Sequence, residues 1–220
     1  MPVELITAEI QQAFFEYRAN FKEPITILFS AGRQAEIIDA IYKALGPWRM
    51  DLENIAWQPG AKNLREVQLS FGVPSQLATM QVGIAGVTMT ALNPDWSRAP
   101  ELLRLFHAGL GALKECTGQE FQSQQTTLGF HLRPPAARPF REVVTQFVNA
   151  EFLGSDAAMF GVSVYYNDHT FVLDSSAAIQ GGLFVKLVRN FTPEKQFEEM
   201  VKALYADEEA ALRRLGLKLE

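Results

Sequence analysis

Residues 65–73, REVQLSFGV, place Val67, Leu69, Phe71 and Val73 at every second position, with polar or small residues between them. Successive side chains of a strand point to opposite faces, so the pattern predicts a half-buried strand with one dry side. Such a strand needs partner strands beside it and a cover over its dry side. The residues that follow supply both. TMQVGIAGVTMTAL (79–92) reads as two strands turned near Ala85-Gly86, or as one long strand with a bulge. NPDWSRAPELLRLFHAGLGALKECTG then leads from a loop into a helix, with Pro100 in its first turn and Gly118 at its end. Gly109 and Gly111 each weaken that helix by roughly 1 kcal/mol relative to alanine. In exchange they give room for close packing against another element.

The same order recurs later in the chain. AMFGVSVYYNDHTFVLDSS reads as two strands joined near Asn167-Asp168, a good turn pair, and GGLFVKLVRNF (181–191) as a third. A helix is then expected, with Thr192 as its cap and Pro193 at its first position. Its apolar stripe is Phe197, Met200, Val201, Leu204, Ala211, Leu212 and Leu215, and Gly216 ends it. Residues 86–118 and 182–216 each start on glycine, run as a strand, turn polar, place proline in the first turn of a helix and end on glycine. The pattern predicts two related strand-strand-strand-helix halves, 64–133 and 155–217, within a single domain of 1–220.

The remaining segments are read one by one. Ile6, Ile10, Ala13, Phe14, Tyr17 and Phe21 fall at helical spacing, with Thr7 as cap and Pro24 as stop. ITILFS (25–30) reads as a strand and AGRQAEIIDAIYKALG (31–46) as a helix, giving a helix-strand-helix unit over 7–46. Residues 47–63 read as a packed irregular loop carrying Trp48 and Trp57. FQSQQTTLGFHLR (121–133) reads as a strand at a sheet edge. PFREVVTQFVNAEFLG (139–154) reads as an amphipathic helix that, with the proline segment before it, joins the two halves. The fold class expected is α+β: a largely antiparallel sheet with helices packed mainly on one face.

Composition narrows the function classes. With 48% hydrophobic residues the chain belongs with globular proteins. A formal charge of −5 argues against a chain-wide attraction for nucleic acid. One cysteine, Cys116, allows no internal disulfide and no cysteine-rich zinc site, and makes a reducing cytoplasm the simplest compartment. MPVELITAEIQQ lacks the basic start and apolar run of a secretory signal, and no apolar stretch is long enough to span a membrane.

No catalytic constellation is legible. His107 and Cys116 share one helix nine positions apart, half a turn out of phase and about 13 Å apart along its axis, so they form no dyad. GxSxG, HExxH, a P-loop and GxGxxG spacing are all missing. Asn167-Asp168-His169 reads as a hairpin turn. Glu198–Lys202 and Glu209–Arg213 read as solvated i,i+4 pairs. No metal site and no cofactor is indicated. Attention therefore falls on recognition. Trp96 sits between Asp95 and Arg98 in a loop, and Arg133, Arg138 and Arg141 frame the segment RPPAARPFR (133–141). That segment is either a solvated connector or an anion-gripping surface.

Three functions follow as expectations. The first is a soluble, bacterial, non-enzymatic interaction or assembly subunit with a protein partner or a second copy of itself. The second is a carrier of a small apolar ligand, held between a curved sheet and long helices. The third is an enzyme whose residues meet only in space, with His131, His169 and Asp174 as first suspects.

Overall fold

The computed structural model describes residues 5–58, 66–94, 99–133, 142–143, 145, 148, 151 and 161–219. The chain is α+β, with ten strands and three helices longer than one turn among these residues. Strand pairing is largely antiparallel; β10 (Leu217–Leu219) instead runs parallel to the start of β1 (Ile6–Phe21). The chain packs as two compact units. Unit 1 is Met1–Phe14, Thr127–Arg189 and Glu199–Glu220, and unit 2 is Phe15–Thr126 and Asn190–Glu198. β1 and β6 (Phe121–Arg133) each contribute one part of their length to either unit.

In unit 2 the strand order is β2 (Ile55–Gln58), β3 (Gln68–Val73), β4 (Ala78–Gly83), β5 (Gly86–Leu92), β1, β6. The expected alternation of β3 holds: Leu69 lies opposite Val82 and Phe71 opposite Met80, all buried. Residues 79–92 form two strands, as in the first of the two readings. Helices α1 (Ala31–Leu45) and α2 (Ala99–Thr117) cover the dry face. A methyl group on Gly109 would come within 3.0 Å of Met80 Sδ and 3.3 Å of Met89 Cε, so α2 approaches the sheet here only because no side chain intervenes. Gly111 meets nothing within 4 Å and has no such role.

Five expectations are corrected in this unit, the first being that residues 55–58 of the expected irregular loop form β2, paired with β3. Ile6–Phe21 is a strand, not a helix. Ala13, Phe15, Tyr17, Ala19 and Phe21 are all buried, a period-two run that overrides the helical spacing of Ile6, Ile10 and Phe14. Thr26–Phe29 is a 3-10 helix, not a strand, and it buries Ile25 and Leu28 at the three-residue spacing of that helix. β6 is interior, lying between β1 and β9 (Leu183–Phe191), and is not an edge. Thr192 caps no helix, because the last helix, α3, spans Phe197–Arg214. The loop ahead of it is held instead by buried Gln124 of β6. Its amide Nε2 donates to the carbonyls of Thr192, Pro193 and Lys195 at 3.1, 2.9 and 3.1 Å. Tyr17 completes the arrangement by donating its hydroxyl to Gln124 Oε1 at 2.6 Å, with its ring edge-on to Phe197.

In unit 1 the order is β1, β6, β9, β8 (His169–Ser175), β7 (Gly161–Tyr165). The hairpin expected at Asn167-Asp168 is present, with Tyr166 N–H donating to the His169 carbonyl at 2.8 Å. The expected stripe of α3 is buried throughout. Its residues from Glu199 on lie over one face of β7, β8 and β9, as the burial of Leu173, Leu183, Val185 and Leu187 requires. On the other face Phe14 lies flat over Gly129, where any side chain would overlap its ring, and stacks with Phe184 at 6.5 Å. Of the helix expected over 139–154, Glu142, Val143 and Glu151 are helical, and most of it lies outside the described residues.

Candidate functional site

The helix and the three strands that bury the apolar face of unit 1 do not fill the space between them. β7 contributes Val162 and Val164, β8 contributes His169, Phe171 and Leu173, and β9 contributes Leu187, all from alternate strand positions. α3 faces them with Asp207, Ala210, Ala211 and Arg214, which share one helix face by their spacing of three and four. The small side chains of Ala210 and Ala211 stand opposite the valines, and a cavity of about 390 Å³ results. Its floor is apolar and its mouth is polar.

The mouth is a chain of charge-assisted contacts. His169 pairs with Arg189 across β8 and β9, which puts both side chains on the cavity face. Arg189 Nη1 donates to both carboxylate oxygens of Asp207, at 2.8 and 2.7 Å. Its Nη2 donates to Asp168 Oδ2 at 2.8 Å, so one guanidinium ties the helix to the hairpin turn. Burial opposes the Arg189 charge, but the Asp207 and Asp168 carboxylates outweigh it and its pKa is raised. His169 Nδ1 lies 2.8 Å from Asp168 Oδ1; this bond, with Arg189 beside it, holds the Asp168 carboxyl below its ordinary value. The Tyr166 ring stacks on His169 at 4.1 Å and 11°, and its hydroxyl accepts from Arg214 Nη1 at 2.7 Å.

The enzyme suspects do not meet. His131 Nδ1 lies 2.9 Å from Ser176 Oγ, which resembles a base beside a nucleophile. Ser176 Oγ, however, already accepts from the N–H groups of Ala178 and Ile179, at 3.2 and 2.9 Å. Both lone pairs are occupied, so its proton goes to Nδ1 and the neutral imidazole carries its hydrogen on Nε2. The serine closes a turn, and burial lowers the His131 pKa, keeping the ring an acceptor. Asp174 accepts from the Ser175 N–H at 2.7 Å, and its carboxyl occupies the space that Gly161 leaves open. It lies five positions from His169 on the same strand, on the opposite face. His107 Nδ1 lies 3.5 Å from Glu198 Oε1, and burial raises the Cys116 thiol pKa, which disfavours the thiolate. Glu209 bonds Arg213 at 2.6 Å as its spacing suggests, whereas Glu198 turns to His107 and not to Lys202. Among the described residues no cluster of three His, Cys, Asp or Glu side chains is placed to hold a metal.

Of the recognition residues, Arg133 is exposed at the end of β6. Asp95, Trp96, Arg98, Arg138 and Arg141 lie outside the described residues. Sequence reasoning singled out His169 but missed Tyr166, Arg189, Asp207 and Arg214. The one available signal was a charge, Arg189, following Leu183, Val185 and Leu187 at the alternate, inward positions of β9.

No protein-family model matches the chain, and no curated protein matches it either. No helix among the described residues is long and apolar enough to cross a membrane.

Proposed function

We propose that unit 1 binds a small, mainly apolar molecule in the cavity between α3 and the β7–β9 strands. One observation carries this reading: Val162, Val164 and Phe171 stay only half-buried, lining a space of about 390 Å³ that alanines leave open. A closed cavity-free packing would have stabilised the fold further, and pockets of this size and lining suit small ligands. Native mass spectrometry of gently purified protein, together with titration by the neutral apolar dye Nile red, tests it. One equivalent should bind, and Ala210→Trp at the exposed side of the cavity should abolish binding without lowering the melting temperature. Dye binding unchanged by Ala210→Trp would overturn the reading.

A second reading, an interaction subunit with a protein partner or a second copy, is favoured by unit 2. Leu77 and Leu92 are joined by a backbone hydrogen bond of 3.0 Å, yet both side chains are exposed, at 59% and 57%. Exposed Trp57 lies on β2, at the end of that unit's strand order. Leu77→Glu with Leu92→Glu should weaken any association seen by analytical ultracentrifugation; unchanged association would count against this surface.

A further inference from the structure

The cavity's charges specify the head group of its ligand, on the footing that the cavity binds an apolar molecule as proposed above. Two acids and two arginines stand at its mouth. Asp207 has both oxygens on Arg189, and Asp168 divides its oxygens between Arg189 and His169. Both acids are therefore satisfied without Arg214. Arg214 donates through Nη1 to the Tyr166 hydroxyl and holds its guanidinium 5.9 Å from that ring's centre. Among the described residues it has no carboxylate partner. The Tyr166 phenol, itself stacked on His169, thus positions a lining cation without setting a carboxylate against it. The Tyr166 hydroxyl, having accepted from Arg214, keeps its own proton to donate.

We infer that the cavity takes an apolar monocarboxylic acid, its carboxylate on Arg214 and Tyr166 and its tail against Val162, Val164, Phe171 and Leu173. The planar guanidinium fork matches a carboxylate. Arg214 is the cation at the mouth with no carboxylate on it among the described residues, and it offers a place for one negative charge. Asp168 and Asp207 repel a second one, which disfavours dicarboxylates and phosphate dianions.

Isothermal titration of the full chain with decanoate, decanedioate and decan-1-ol tests the assignment. Decanoate should bind about tenfold or more tightly than decan-1-ol, as a charge-assisted pair supplies. Decanedioate should bind more weakly than decanoate. Arg214→Gln should remove the preference for decanoate and leave decan-1-ol affinity within about twofold. Arg214→Lys, which keeps the charge without the fork, should fall between. Equal affinity for decanoate and decan-1-ol in the unmodified protein overturns the head-group assignment alone. So does an Arg214→Gln variant that loses both ligands equally while its thermal melt is unchanged. Failure of all three probes to bind overturns the cavity reading and the assignment with it.

Discussion

Gln124 shows how one buried polar side chain can decide a loop. Its amide oxygen accepts from Tyr17, and its two N–H groups are shared among three carbonyls of residues 192–195. Gln124→Ala should cost about 2–4 kcal/mol in urea unfolding, because a phenol and several carbonyls lose their partner away from water. Tyr17→Phe should cost about 1 kcal/mol, since only one acceptor is orphaned. A different residue sets a pH dependence. Burial, with Glu209 beside it, pushes Glu208 up to about 7 from an ordinary 4.5. Folded Glu208 holds its proton more tightly than the unfolded chain does. Its contribution to stability is therefore complete below pH 4.5 and is lost as the pH rises through 7. The loss is bounded by about 3 kcal/mol and reduced by the partial exposure of the side chain. Glu208→Gln should thus stabilise the protein at pH 8 relative to the unmodified chain, with little difference at pH 4; an equal effect at both would refute this assignment.

Among elements, those legible in the sequence were the ones whose evidence is local. β3, the β7–β8 hairpin, α1, α2 and the stripe of α3 each declare themselves by a period, a turn pair or a stop. β1 misled because Ile6, Ile10 and Phe14 fit a helix while Ala13 to Phe21 fit a strand, and only pairing across to β6 decides between them. The start of α3 misled because Thr192-Pro193 is a sound helix opening in isolation, and the competing demand comes from Gln124, 68 positions away. The candidate site was illegible for the same reason. Asp168, Arg189 and Asp207 lie on three elements and are joined only when α3 docks on its strands. That clamp should be measurable. Arg189→Ala should destabilise by about 2 kcal/mol, less than a fully buried pair costs, because Asp207 is left half-buried and unpaired. Arg189→Met combined with Asp207→Leu should recover most of the loss in the same unfolding assay.

At the scale of the whole molecule, β3-β4-β5-α2 and β7-β8-β9-α3 follow one order of elements; that residues 64–133 and 155–217 are a duplication is our proposal. The units themselves do not coincide with those halves, because each is assembled from separated segments and β1 and β6 serve both. The three tryptophans, Trp48, Trp57 and Trp96, all belong to unit 2, so their fluorescence reports that unit while far-ultraviolet circular dichroism reports the whole chain. With two strands continuing from one unit into the other, the two denaturation curves should coincide; separate midpoints would show independent unfolding. The parallel pairing of Ile6–Ala8 with Leu217–Leu219 has a consequence for biosynthesis. At about 5–20 residues per second, the ribosome makes the first of these segments roughly 10–40 s before the second. Throughout that interval one side of the nascent first strand has no native neighbour to bond.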